Sequence, residues 1–494
     1  MTHSPGVFWF ITGSQRLYGA DTLRQVAQQS QRIAEGLEAS TPYPLVHCGV
    51  VTTADEARRV LLEAGADDRC LGVVLWMHTF SPAQMWVAGL RANHKPMVHL
   101  HTQFHRDIPW RTIDMNFMNL NQSAHGDREF GYLTARLGVP RKVIAGHWSD
   151  GAVGRRLAAW MRVAAAWAES QQLKLARFGD NMRDVAVTEG NKLSSAATFG
   201  WSVRGYGVGD LAEAVDAASP SEVAEQLERY EARYVVDARL RADAVRWRQV
   251  EGQARIECGL RRFLEEGGFG AFTTTFEDLH GLDQLPGLAV QDLMRDGYGF
   301  GAEGDWKTAA LLRLVKVMAD GRATSFMEDY TYHLAPGHEQ VLGAHMLEVC
   351  PSIAAERPRI EVHPLPIGGK SDPARAVFDG QPGPAVVASL VDLGPRFRLV
   401  VNAVEAVAPP EPLERLPVGR VLWKPAPSWT TAVEAWIHAG GAHHTVLSYA
   451  VSLAQLQDFA VLAGIECVAI DHDTRLPALV KELDWGDAVW SRRP

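Results

Sequence analysis

The sequence is poor in cysteine. Cys48, Cys70, Cys258, Cys350 and Cys467 are the only thiols in 494 residues, and no two form a C-x-x-C pair. An odd number at wide spacing argues against a disulfide frame or a zinc ribbon, and fits reduced, mostly buried thiols in a cytosolic protein. No stretch approaches the ~18–20 apolar residues that a membrane span needs. The first residues, MTHSPGVFWFITGSQ, place no basic segment ahead of their short apolar run, so no secretory signal is expected and the cytoplasm is the expected location. Basic charge is in deficit as well. Lys and Arg number 49 against 58 Asp and Glu, a net charge of −9, which argues against nucleic acid or an anionic membrane as the main partner. There is no internal repeat and no low-complexity tract.

What remains is an ordinary globular composition, 47% hydrophobic and 22% charged, in a chain too long for one core. Apolar runs at 7–12 (VFWFIT), 71–77 (LGVVLWM), 96–100 (PMVHL) and 142–145 alternate with helical spacing at 21–37 and from Ser81-Pro82 onward. This pattern predicts a parallel sheet with helices on both faces, whose ligands sit beyond the carboxyl ends of the strands. The loops 13–19 (GSQRLYG) and 101–105 (HTQFH) are then placed to touch a ligand. A long amphipathic helix is expected at about 153–172, and a second α/β unit from 173 through 184–187 to 321. From 323 onward, frequent prolines and short β-rich runs (385–391, 397–401, 420–423) predict a β-rich domain. The expected domains are 1–173, 174–322 and 323–494.

Two glycine motifs invite a nucleotide. Gly299-Phe-Gly301-Ala-Glu-Gly304 fits G-x-G-x-x-G, but Glu303 would repel the pyrophosphate that a helix N-terminus attracts, and a helix (289–296) stands where the fingerprint needs a strand. Gly368-Gly369-Lys370-Ser371 resembles the tail of a P-loop, yet Pro364 occupies the place of its first glycine. No nucleotide is expected.

Without a nucleotide, the same region offers metal ligands. Glu303 stands just ahead of a helix capped by Asp305, whose dipole favours an ionised carboxylate. Glu328 lies in the aromatic-rich strand-like run 324–333 (TSFMEDYTYH), where alternation would put Phe326, Glu328, Tyr330 and Tyr332 on one face. A carboxylate among aromatics must be paired, protonated or metal-bound. His345 lies in 341–350, where Gly343, His345, Leu347 and Val349 share a face if the run is a strand. His443 and His444 follow a Gly-Gly turn and would point to opposite faces, so at most one is a ligand. Each of these residues has a plainer role available, as helix cap or hydrogen-bonded core, and spacing alone does not make them converge.

Longer segments carry a resemblance. GSQRLYG (13–19), WMHTFSPAQMW (76–86), DMNFMNLNQSAHGDREFG (114–131), RFGDNMRDVAVTEG (177–190), GYGFGAEGDWKTAAL (297–311), TSFMEDYTYH (324–333), GAHMLEVCPSIAAE (343–356) and GGAHHTVLSYA (440–450) resemble the L-arabinose isomerase family, over essentially the whole chain. The resemblance implies two Rossmann-like parallel-sheet domains of the fucose-isomerase-like kind, followed by a β-rich, barrel-like C-terminal domain. It implies a Mn²⁺ ion, with Co²⁺ or another divalent cation as a substitute, held by Glu303, Glu328, His345 and His444. Two carboxylates and two imidazoles leave two places of an octahedron for a chelating diol. Glu303 and Glu328 then serve as acid and base in the conversion of L-arabinose to L-ribulose, through a cis-enediol or by a metal-assisted hydride shift. D-galactose to D-tagatose is the expected side reaction.

The family also implies Gln15, Leu17, Tyr18, Gln122, His125, Met182, Phe276, Tyr330 and Ile367 as sugar contacts. It implies a homo-oligomer, a hexamer in which the amino-terminal loop closes a neighbour's site. Arg16 departs from the family pattern, which has histidine there, and puts a permanent charge beside the sugar loop. His99 and His105 match no family pattern and are expected at the surface or behind the ligands. The rival readings are an isomerase of a six-carbon sugar such as L-fucose, a sugar-binding protein without enzymatic activity, and a nicotinamide-dependent dehydrogenase. The second lacks an expected signal peptide, and Glu303 opposes the third.

Overall fold

The computed structural model describes residues 6–365, 367 and 369–490, in two compact units, Met1–Ala168 and Glu169–Pro494. In the first unit β1 (Val7–Gly13), β2 (Leu45–Val51), β3 (Cys70–Met77), β4 (Met97–His101) and β5 (Lys142–Ala145) form a parallel sheet in the order β2-β1-β3-β4-β5. Its central strands are apolar along their length because helices cover both faces. Phe8, Phe10, Val74 and Trp76 pack against Ile33 and Leu37 of the helix Gly19–Glu38 and Leu157 and Trp160 of Gly151–Ser170. Ile11, Val73, Leu75 and Met77 meet Ala57 and Leu61 of Ala54–Ala66, and Phe130 of Ser123–Arg136, on the other side. The strand order changes direction between β1 and β3, the kind of switch point beyond whose carboxyl ends open α/β sheets place their ligands. Strand β2 and the helix Ala54–Ala66 have no counterpart in the sequence reading. The first is a half-exposed edge strand. The second begins on a Thr53/Glu56 capping box, a signal that was present in the sequence.

The second unit opens with another parallel sheet, β6 (Lys174–Phe178), β7 (Ser202–Tyr206), β8 (Ala271–Thr274) and β9 (Gly299–Gly301), ordered β7-β6-β8-β9. The segment 184–187 is not a strand; Ala186–Thr188 forms a single 3-10 turn. Nine strands follow: β10 (Thr324–His333), β11 (Gln340–Ala344), β12 (Arg359–Val362), β13 (Ala374–Asp379), β14 (Gly383–Asp392), β15 (Phe397–Val407), β16 (Gly419–Pro425), β17 (His444–Ser448) and β18 (Glu466–Ile470). They run in the order β12-β13-β16-β11-β10-β17-β14-β15-β18, and β15 pairs back onto β16, so six of them (β16-β11-β10-β17-β14-β15) close into a barrel while β12-β13 and β18 extend from it as flanking strands. Two Rossmann-like sheets followed by a β-rich barrel is the architecture expected.

The glycines of the G-x-G-x-x-G pattern serve packing. A Cβ on Gly299 would run into the carbonyl of Ala309, and one on Gly301 into that of Asp305. Their absence lets β9 lie directly against the helix Trp306–Met318. Gly368 lies outside the described residues, while Lys370 donates to the Leu282 carbonyl at 2.6 Å, which spends its charge on a turn.

Two local expectations fail. A bulge inserts Tyr330 between the Asp329–Gly343 and Thr331–Leu342 pairs of β10 and β11, which reverses the alternation beyond it. Tyr332 therefore lines the cavity that Asp329 lines, on the face opposite Glu328. The segment 341–350 is also not one strand. β11 stops at Ala344, so Gly343 and His345 do not share a face: Gly343 meets Trp423 and Met327 inside the barrel. All five cysteines are free, three of them buried. No helix among the described residues is long and apolar enough to cross a membrane.

Candidate metal centre

Glu303 lies in the turn between β9 and the helix Trp306–Met318. Its φ of 61° falls in the left-handed region that side-chain-bearing residues rarely occupy. The neighbouring strand ends hold it there: the Met182 N–H donates to the Glu303 carbonyl at 2.9 Å, and the Gly304 N–H to that of Thr274 at 3.1 Å. The turn thus lifts one carboxylate clear of the sheet at the carboxyl ends of β6, β8 and β9, where open α/β sheets place their ligands. Asp305 caps the helix through the Thr308 N–H, as the sequence indicates.

The other three residues come from the barrel wall. Glu328 and His444 are paired across β10 and β17, on the outer face. His345 is the first residue beyond β11. Phe326 shares the face of Glu328 and packs edge-on against both imidazoles, with ring centroids 5.0 Å from His345 and 5.1 Å from His444. It acts as an apolar wedge that fixes both rings.

Each imidazole is also held from behind by a carboxylate. His345 Nδ1 lies 2.6 Å from Glu348 Oε2, and His444 Nδ1 lies 3.2 Å from Asp305 Oδ2. That leaves both Nε2 atoms toward the front, where His345 Nε2 is 3.9 Å from Glu328 Oε2 and His444 Nε2 is 3.7 Å from Glu303 Oε2. Burial pushes the Glu328 carboxyl above its ordinary range, against the pull of the two histidines. Burial would lower His345, but Glu348 overrides it and raises the imidazole. Asp305 is buried too, yet the Lys307 ammonium and hydrogen bonds from His444 and Thr308 hold its carboxyl well below the usual range.

Each of the two pairs, Glu303 with His444 and Glu328 with His345, has a spacing near that of two ligands on one divalent cation. Two ligand atoms about 2.1 Å from one ion and 90–120° apart stand about 3.0–3.7 Å from each other, close to the separations found. Glu328 and His345 do not join the group in which the ligand atoms of Glu303, His443 and His444 converge. His444 Nε2 is buried with no hydrogen-bond partner, an uncompensated cost unless something is coordinated there. Carboxylate-backed imidazoles are the usual support of a metal-binding histidine. His443 also comes near: ligand atoms of Glu303, His443 and His444 lie within 4.8 Å of one another. No carboxylate backs the His443 ring, and burial beside His444 lowers it to about 4. Geometry thus favours His444 without removing His443 from reach. A further acidic group, Glu257, Asp292 and Asp296, is occupied by Arg233, Arg261, Tyr230 and Tyr234.

In front of the ligands lies a cavity of about 320 Å³ lined by Met182, Phe276, Tyr330, Ile367 and, unanticipated from sequence, Leu285, Met346, Leu347 and Leu365. Its size suits one small molecule. Gln15, Leu17, Tyr18, Gln122 and His125 all belong to the first unit. The Tyr18 hydroxyl donates to Gln122 Oε1 at 2.6 Å, His125 lies against Phe80, and Leu17 is 85% exposed. Arg16 is paired with Glu56 at 3.1 Å, so its charge is engaged on the protein. His99 is not at the surface: it is buried and joined to Asp127 at 2.7 Å, with His101 on the other carboxylate oxygen at 2.8 Å. His105 is half-buried against Asn121. Sequence missed Glu348 as a support, although its place three residues after His345 was a usable signal.

Comparison with known proteins covers the chain end to end. Family models match residues 3–172 (L-arabinose isomerase N-terminal domain), 174–321 (central domain) and 323–466 (C-terminal domain). The L-arabinose isomerase of Geobacillus stearothermophilus is 62% identical over 492 residues, 99% of each chain. That of Bacillus subtilis (strain 168) is 55% identical over 484 residues, 98% of each chain.

Proposed function

The chain belongs to the L-arabinose isomerase family and is an isomerase, and from that premise we propose that it converts L-arabinose to L-ribulose at a divalent-metal centre formed by Glu303, Glu328, His345 and His444. The observation that carries this reading is the pair of imidazoles backed by Glu348 and Asp305, with the buried Nε2 of His444 left without a partner beside Glu303. Two carboxylates and two imidazoles suit Mn²⁺, with Co²⁺ a workable substitute. Once bound, the ion supplies Lewis-acid polarisation of the sugar carbonyl.

The rest falls to the side chains. Glu303 and Glu328 work from the two sides of the cleft: one removes the C2 proton, and the other moves the proton between O1 and O2, through a cis-enediol. Burial raises Glu328 toward the range where a carboxyl can both take and return a proton. Met182, Phe276, Tyr330 and Ile367 bound the sugar and orient it. A hydride shift would bypass that proton, so deuterium at C1 after turnover in D₂O identifies the enediol route. D-galactose, which adds one hydroxymethyl group to the L-arabinose framework, is the second substrate to assay. The division at 1–173, 174–322 and 323–494, a cytoplasmic location, a hexamer whose amino-terminal loop with Gln15, Leu17 and Tyr18 closes a neighbour's cleft, and Gln122 and His125 as further sugar contacts belong to the same proposal.

The test is L-ribulose formation after EDTA treatment and after Mn²⁺ is returned. Activity should vanish and come back, while full turnover of the stripped protein sinks the reading. Glu303→Gln and Glu328→Gln should each lower kcat by at least about 10³-fold, because an amide keeps an oxygen ligand but carries no transferable proton.

A further inference from the structure

Lysine is an improbable residue at position 307. It is the second residue of the helix Trp306–Met318, where the positive end of the helix dipole disfavours a cation. Its side chain is also only 1% exposed, and a buried ammonium must be paired and hydrogen-bonded. Here it donates to the carbonyls of Val187, Thr188 and Glu189 at 2.9, 3.0 and 2.7 Å, and to Asp305 Oδ1 at 3.2 Å. Those four acceptors occupy all three of its protons.

Both groups of acceptors stand directly behind the cleft. Asp305 turns its Oδ2 to His444 Nδ1. Its carboxylate plane is set by Lys307 and by Thr308, whose N–H reaches Oδ1 at 3.2 Å and whose hydroxyl reaches Oδ2 at 2.7 Å. The carbonyls belong to the segment 181–189, which carries the cavity-lining Met182. Asn181 Nδ2 donates to the Thr188 carbonyl at 2.5 Å and to that of Gly304 at 3.2 Å, so Lys307 and Asn181 share the Thr188 oxygen. One ammonium thus joins the carboxylate behind His444 to the wall that bounds the sugar. A second buried lysine on the same helix makes no such junction. Lys316, 2% exposed, donates to the Thr324 carbonyl at 2.8 Å and lies 3.5 Å from the Cys350 sulfur.

We propose that Lys307 is a positioning residue of the isomerase centre, one that fixes the direction of His444 through Asp305 and ties the Met182 wall to it. Metal and sugar sites are then ordered together. The inference rests on the metal centre proposed above.

The test titrates Mn²⁺ calorimetrically into EDTA-treated, full-length protein. Lys307→Met keeps the stem and removes the ammonium. It should raise the Kd for Mn²⁺ by about 10-fold or more. Lys316→Met removes an equally buried charge and should lower Tm while leaving that Kd unchanged. Lys307→Met combined with Asp305→Asn should bind Mn²⁺ no more weakly than the weaker single variant, because both break one chain of contacts. At saturating Mn²⁺, Lys307→Met should regain most of its kcat while its KM for L-arabinose stays raised. An unchanged Kd in Lys307→Met, an equal loss in Lys316→Met, losses that multiply in the double variant, or an unchanged KM would each overturn the proposal. Wild type that binds no Mn²⁺ would overturn the metal centre itself, whereas wild type that binds it no better than Lys307→Met overturns this inference alone. One measurement needs only the unaltered protein: Mn²⁺ should slow amide hydrogen exchange over 181–189, a segment without a proposed ligand. Unchanged exchange there would refute the coupling even if no variant folds.

Discussion

A histidine that is to hold a metal needs its second nitrogen engaged, and here that task falls to Asp305 and Glu348. Neither touches the cleft's reacting atoms in the proposed scheme; both set the direction of an Nε2. Asp305→Asn and Glu348→Gln should therefore weaken Mn²⁺ binding by about 10–100-fold, with much of the turnover recovered at saturating Mn²⁺. Calorimetric titration of the stripped protein checks this, and unchanged affinity would remove both residues from the centre's design. Elsewhere a histidine acts on stability alone. His78 is fully buried, with Nε2 on Gln29 at 2.5 Å and Nδ1 unpartnered, and burial lowers it to about 3 from 6.5. Between those values the unfolded chain binds a proton that the native chain refuses, so stability must fall as pH falls through the window. The loss is about 1.4 kcal/mol per pH unit at most. From pH 6.5 to pH 5, wild type should lose about 2 kcal/mol more than His78→Gln, as measured by urea unfolding at the two pH values.

At the scale of elements, close approach of backbone matters more than any one side chain. β9 touches the helix Trp306–Met318 through two glycines, and the carbonyl that Gly299 faces is fixed by the helix. Gly299→Ala cannot be absorbed by a rotamer change and should cost about 2–3 kcal/mol or more. It should also displace the Glu303 turn, so activity and Tm should fall together; a variant with native Tm would show the contact to be soft. The same elements explain what could be read in advance. The helix after Glu303, its Asp305 cap and the strand 324–333 are local patterns, and the structure has them where they were expected. The meeting of Glu328 with His444 depends on β10 lying beside β17, a pairing of residues 116 positions apart, which no local pattern encodes. The Tyr330 bulge is likewise set by strand pairing, so alternation placed Tyr332 on the wrong face. Family resemblance supplied the convergence that residue chemistry left open.

For the molecule as a whole, all four proposed ligands belong to the unit Glu169–Pro494, whereas Gln15, Tyr18 and His125 belong to Met1–Ala168. Mn²⁺ added without sugar should therefore slow amide hydrogen exchange around 301–308 and 443–448 and leave the sheet β1–β5 unchanged, since a ligand stabilises what it binds. Mass-spectrometric peptide mapping reads both regions in one experiment. Protection confined to the first unit would contradict the ligand set.

The left-handed backbone at Glu303 has a consequence for the history of the chain. Glycine adopts that conformation without the strain of about 1 kcal/mol or more that a side chain incurs, so the residue best suited to the turn is one with no carboxylate. Selection for heat resistance alone would favour glycine at position 303 and, under the proposed mechanism, silence the enzyme while making it sturdier. Glu303→Gly should accordingly raise Tm and abolish turnover together.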